Sequence, residues 1–363
     1  MGKTKSIYFL VPYPKGQAPS QRFRFEQYFD VLKENDIKVK VKSFYSIKTW
    51  GILHREGNVS LKIFTIILSF WKRFFHVFAT FNFDVVFIHR EVTPLGPPFF
   101  EWFLKSVLRK KIVYDFDDAI WLPNYSEANT DFHKLKNYKK VHSIMKWASI
   151  VSCGNDYLKQ YASQFNSYVV VNPTTIDTVN YHNPILFNQR KGANSKPVIG
   201  WTGTHTTAKY LDFLVPILEK LSEDYEFEMC VISNEKPAVE LKNLRFVKWS
   251  KETEIEDLLR FDIGVMPLAN NKWAKGKCGF KALQYMSLGI PTIASPVGVN
   301  LDIIDHKENG FLAESANEWY EALSYFLRDN INRTNMSASA ITKVANYYSV
   351  KSNTSNFLRL FNL

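Results

Sequence analysis

Short runs of apolar, β-branched and aromatic residues recur along the chain, each followed by a longer stretch with apolar residues at helical spacing. In the first half these runs fall at 7–11, 38–44, 85–89, 112–116, 150–153 and 168–171. In the second half they fall at 198–202, 226–232, 244–248, 263–267 and 292–295. Such alternation predicts parallel strands covered by helices, hence an α/β chain with two Rossmann-like units, residues 1–173 and 174–344. The segment from Val171 to Asp177 and the polar stretch through Lys196 read as the linker between them. A helix is expected near Glu318 to Arg328, then a polar segment from Asp329 to Ser339. The last helical stretch, within 345–363, ends in Phe357, Leu358, Arg359, Leu360 and Phe361 and is suited to packing back on the first unit.

One segment breaks the pattern. From Leu61 to Phe81 the segment is rich in aromatic and aliphatic residues, and charge enters it only at Lys62, Lys72 and Arg73. The uncharged run falls short of the ~20 residues a spanning helix needs. It fits either an interfacial helix dipping into an anionic leaflet or a helix covering the sheet.

Composition narrows the setting. A length of 363 residues suits two domains better than one core. Cys153, Cys230 and Cys278 are far apart with no CxxC spacing, which argues against a disulfide framework or a cysteine zinc site and favours a reducing, cytoplasmic setting. The run Ser6 to Val11 is too short for a signal-peptide core and reads as a strand. A formal charge of +11 implies an anionic partner.

Ligands of doubly wound sheets lie beyond the carboxyl ends of strands, so the loops there are the candidate sites. After the first strand, Gly16 lies in a Gly/Pro loop, Ser20 can cap the next helix, and Arg22 and Arg24 can face an anion. After the third, His89, Arg90 and Glu91 precede a Pro-rich turn. After the fourth come Asp115, Asp117 and Asp118, whose mutual repulsion would raise one pKa unless a cation compensates. Asp117, Asp118 and His89 are the candidate catalytic groups; no metal ligand is assigned.

In the second unit, Thr202, Gly203 and Thr204 lead to Lys209, a strand–loop–helix arrangement suited to phosphate. It has neither Walker nor dinucleotide G-x-G-x-x-G spacing, so ATP hydrolysis and hydride transfer lose support. The densest segment runs from Asn271 to Asn300. There Gly276 and Gly279 allow close backbone approach, Lys277 and Lys281 bring charge for a diphosphate, and Gln284 can reach a ribose hydroxyl. Val297, Gly298 and Asn300 complete the candidate donor-binding set.

Together these segments resemble a retaining glycosyltransferase of family 4 with the GT-B fold, two Rossmann-like domains facing each other across a cleft. The run from Gly279 to Ser295 resembles the family's G-x-x-x-x-E-x-M-A-x-G-x-P-V-V-A-[ST], the segment 171–177 its N-P-x-x-[IV]-D, and Asn309 to Leu312 its N-G-x-L turn. Two departures stand out. Gln284 and Gly276 occupy the two glutamate positions of the E-x7-E signature, and Thr204 stands where the family has an arginine, with Lys209 matching its lysine.

The resemblance implies metal-independent transfer, without a cofactor, from a UDP- or GDP-sugar to a glycan or polyprenyl-linked acceptor in surface polysaccharide or glycoconjugate synthesis. It implies that Lys209 and Lys277 neutralise the leaving diphosphate. The positive charge and the aromatic segment add an expected anionic membrane surface on the cytoplasmic side. A sugar-nucleotide epimerase is the alternative on the same fold. A non-catalytic basic protein binding membrane or nucleic acid would leave the Gly/Lys loops unexplained, and no nucleic acid is expected.

Overall fold

The computed structural model describes residues 5–53, 57–123, 136–187 and 196–362. Positions 188–195 of the expected linker lie outside the described residues. The chain divides into one unit of Met1–Thr174 with Asn353–Leu363 and another of Thr175–Ser352.

Among the described residues each unit is built on a six-stranded parallel sheet. In the first unit β1 (Ser6–Val11), β2 (Lys38–Ser43), β3 (Val85–His89), β4 (Lys111–Phe116), β5 (Ile150–Cys153) and β6 (Val169–Val171) take the order β2-β1-β3-β4-β5-β6. The central strands β1, β3 and β4 are buried almost throughout, because helices cover both faces and an uninterrupted apolar run is then the stable pattern. At the edge, β2 alternates lysine with apolar residues and stays partly exposed, a common protection of sheet edges.

The chain leaves β1 for β2 on one side and then crosses to β3 on the other, so the switch point lies between β1 and β3. The C-terminal residues return to this unit. Tyr28 stacks on Phe357 with centroids 4.1 Å apart, Phe361 closes an aromatic group with Phe9 and Phe87, and Asn356 donates to the Val171 carbonyl at 3.1 Å.

In the second unit β7 (Val198–Gly203), β8 (Glu228–Ser233), β9 (Leu244–Lys248), β10 (Ile263–Met266), β11 (Thr292–Ala294) and β12 (Phe311–Leu312) take the order β12-β11-β10-β7-β8-β9. The switch point falls between β7 and β10. Strand β12 has too few residues for a sequence period to reveal it.

Two expectations are corrected. The polar segment after residue 329 is helical over Asn330–Lys343, started by the Asp329 side chain accepting from the Ile331 amide and anchored by buried Met336 and Ala340. The aromatic segment forms one helix, Val59–Phe78, that runs through Lys72 and Arg73; with the turn that follows it, the helical stretch Val59–Asn82 is by length and composition alone long and apolar enough to cross a membrane.

Candidate functional site

In the first unit the loops after β1, β3 and β4 carry most of the predicted residues, and most of their polar groups have partners within the unit. The Gly16 amide donates to Glu26 Oε2 at 2.8 Å, with the glycine at φ +78°. Burial pushes the Glu26 carboxyl up in pKa, against the bonds it accepts from Gly16 and Gln21. Gly16 is therefore committed to shaping its loop. The Pro19–Arg22 helix begins after Ala18 without a side-chain cap, so Ser20 lies inside it.

Arg24 is also reassigned. It is buried, its guanidinium bound to Asp115 and to the Asn172 carbonyl, so it does not face an external anion. Arg22 is nearly buried too, with its guanidinium 4.8 Å from the Phe23 ring centroid.

Asp115 also takes hydrogen bonds from Ser152 at 2.7 Å and shares one of 2.9 Å with His89 Nδ1. Burial alone would raise its pKa, but Arg24 and His89 together hold the carboxyl well below the usual range. The predicted carboxylate repulsion is thus answered by cations. Asp117 and Asp118 bind the same Arg90, at 2.7 and 2.6 Å from Nη2.

Arg90 sits at φ +59°, a left-handed conformation costly for a non-glycine residue. It is held there by its amide donating to the Asp115 carbonyl and its own carbonyl accepting from Tyr114 OH, each at 2.7 Å. His89 is fully buried, and its Nε2 has no hydrogen-bond partner among the described residues. Sequence reasoning placed His89, Asp117 and Asp118 at strand ends but missed Asp115 as the hub; its position inside β4 was the available signal.

In the second unit, the loops after β7, β10 and β11 meet at the N-terminus of the Phe280–Ser287 helix. Gly279 precedes that helix at φ +66°, and a Cβ there would lie 2.1 Å from Ile303 Cδ1 and 3.6 Å from Asn300 Oδ1. Gly298, at φ +57°, brings its backbone against Lys275, whose carbonyl oxygen would be 2.8 Å from an added Cβ. Gly203 packs under Lys281: an added Cβ would be 2.9 Å from Lys281 Cε and 2.5 Å from the Trp201 ring. The Lys281 ammonium stands 5.4 Å from the Trp201 ring centroid, joining the end of β7 to the first turn of the helix.

The other predicted residues divide into two groups. Lys277 is partly exposed, its ammonium 5.0 Å from the Trp273 ring, while Thr204 and Lys209 are exposed on the β7 side. Asn300 is buried, donating to the Ser295 carbonyl at 3.0 Å, and its Oδ1 has no partner among the described residues. By contrast, the Thr202 amide donates to Tyr285 OH at 2.8 Å and the His205 amide to Asn234 Oδ1 at 3.0 Å, so these two amides after β7 are already engaged within the unit. Gln284 is 2% exposed, with its amide nitrogen 3.2 Å from His182 Nε2, and Val297 is also buried.

The glycines at 203, 279 and 298 let these loops pack closely on Trp201, Ile303 and Lys275, and Lys277 and Lys281 flank the start of the helix. A helix N-terminus with lysines is a general solution for binding phosphate.

Residues 196–329 match the family described as glycosyl transferases group 1. No curated protein matches the chain in sequence.

Among solved structures, a glycosyltransferase from Rickettsia africae aligns with a TM-score of 0.68 at 13% identity, covering 100% of this chain and 98% of its own. Sucrose-phosphate synthase from Thermosynechococcus elongatus aligns at 0.70 and 13%, covering 99% and 98%. HepE from Anabaena, in complex with UDP and glucose, aligns at 0.66 and 13%, covering 99% of each chain. At that identity the structures show the fold: the chain has the GT-B fold, and its second unit carries a group 1 glycosyl transferase domain over residues 196–329.

Proposed function

We propose that this chain is a glycosyltransferase that moves a sugar from a UDP- or GDP-sugar to a glycan or polyprenyl-linked acceptor, with retention at the anomeric carbon. It would act in surface polysaccharide or glycoconjugate synthesis at the cytoplasmic face of a membrane. The observation that carries the donor half is the meeting of Gly203, Lys281 and Gly279 beside the switch point of the second sheet.

In this reading the diphosphate lies against the N-terminus of the Phe280–Ser287 helix. Lys209, Lys277 and Lys281 neutralise the leaving phosphates, a role in which one preorganised donor is typically worth about 3–4 kcal/mol. Asn300 Oδ1, beside Gly279, accepts from a donor hydroxyl. These protein cations supply the neutralising charge, so the proposed transfer needs no metal. Gln284 supports the helix through His182 instead of touching ribose.

On the first unit, Asp117, Asp118 and Arg90 form the polar group offered to acceptor hydroxyls, and Asp115 fixes the His89 ring through Nδ1. Calorimetry with UDP and GDP tests the donor half. Lys209→Ala and Lys277→Ala should each weaken binding, and unchanged affinity in both would remove the clamp.

A further inference from the structure

The Val59–Phe78 helix is turned inside out relative to an ordinary covering helix. Its buried stripe is Ser69, Arg73 and Val77, while Phe64, Ile67, Trp71, Phe75 and Phe78 project outward at helical spacing. Trp71 and Phe75 are 63% and 64% exposed, whereas Arg73 is fully buried. Arg73 donates to the carbonyls of Val11 at 2.7 Å and Lys42 at 2.9 Å, which pins the helix to β1 and β2. A helix fastened in this way cannot run across a bilayer, because its polar stripe would have to leave those carbonyls for hydrocarbon.

The outward apolar face does not stop at this helix. Phe78 contacts Phe103 with centroids 5.3 Å apart, and Phe103 contacts Phe99 at 6.3 Å, on the neighbouring Phe99–Ser106 helix. There Phe99 and Trp102 are 52% and 42% exposed. Contiguous exposed apolar surface of this kind marks an interaction site.

Charge identifies what covers it. Neither helix presents an acidic side chain outward: the Val59–Phe78 segment has none, and Glu101 is buried with its carboxylate accepting from the Val92 amide at 2.9 Å. Lys72, Lys105 and Arg109 are exposed alongside. Aromatics framed by cations alone are the composition of an interfacial surface on anionic lipid.

We propose that these two helices together form a docking face that lies flat in an anionic leaflet, with Trp71 and Phe75 inserted from one helix and Phe99 and Trp102 from the other. The inference rests on the membrane-associated reading above and assigns it a surface.

The test is flotation of the full chain with phosphatidylcholine vesicles containing phosphatidylglycerol, and with phosphatidylcholine alone. Wild type should float with the anionic vesicles, be released by alkaline carbonate, and lose binding as salt rises. Trp71→Ser/Phe75→Ser and Phe99→Ser/Trp102→Ser replace exposed residues and should keep the wild-type melting temperature. Each pair should lower partitioning on the order of tenfold.

If the Phe99/Trp102 pair floats like wild type, the two-helix face is overturned while membrane association stands. If wild type floats with neither vesicle, both fall. Resistance to carbonate would overturn the flat orientation. Failure to float together with a dimer that the Trp71/Phe75 pair dissociates would identify the occupant as a second copy of the chain and overturn the proposal.

Discussion

Arg24 and Asp115, 91 residues apart, form a buried ion pair that ties the chain after β1 to the end of β4. Asp115 serves Ser152 and His89 as well, so removing it strands several groups at once. Asp115→Ala should cost about 3–5 kcal/mol, the usual result of leaving a buried partner charge uncompensated. Arg24→Met/Asp115→Leu should cost less than either single change, and urea denaturation of the set measures the difference. The carboxyl is held below its ordinary pKa when folded, so its contribution is complete above the unfolded value and disappears as pH falls below it. The acid limb of the wild-type stability curve should therefore be steeper than that of the double variant.

Gly279 makes a second, independent prediction. Its positive φ and the 2.1 Å approach of an added Cβ to Ile303 Cδ1 mean that alanine meets both backbone strain and overpacking. Gly279→Ala should cost about 1–3 kcal/mol. Adding Ile303→Val removes the clashing methyl and should restore part of that loss but not the share due to φ, as read from denaturation midpoints at constant m.

His76, on the Val59–Phe78 helix, links stability to mild acid. Burial, then Arg73, Lys42 and Lys72, lower its pKa from 6.5 to about 4. Because the folded value is depressed, the unfolded chain takes up the proton first, and stability declines as pH falls from 6.5 towards 4. His76→Leu should flatten the melting temperature across that interval while leaving the value near neutrality little changed. An unaltered slope would show that the imidazole titrates normally.

How far the sequence carried depended on whether a feature is local. Strands β1, β3, β4 and β7 were legible because buried parallel strands are written as continuous apolar runs. The Gly279 segment was legible because a glycine at a helix start has a local backbone reason. Pairings across the sheet were not. Nothing near Arg24 says that Asp115 will neutralise it, and nothing near Gln284 says that His182 will lie against its amide. The inverted helix is the clearest case: its hydrophobic period gives one apolar face, but only the carbonyls of Val11 and Lys42 show that Arg73 points inward and the aromatics outward.

Lys281 offers the sharpest test of the donor site, because its place is fixed by neighbours and not by reach alone. Its Cε would be 2.9 Å from a Cβ on Gly203, and its ammonium lies 5.4 Å from the Trp201 ring centroid. Lys281→Met keeps a stem of similar length on the same apolar surface and removes only the charge. Folding stability should therefore change little. If the charge meets a diphosphate, UDP affinity should fall by about 10–100-fold, the range for a hydrogen bond to a charged group, and most of that loss should fade at high salt. Uridine, which has no phosphate, should bind both proteins equally. Parallel losses for uridine and UDP would mean that the lysine shapes the pocket through Trp201, and no loss for either would place the phosphates away from this helix.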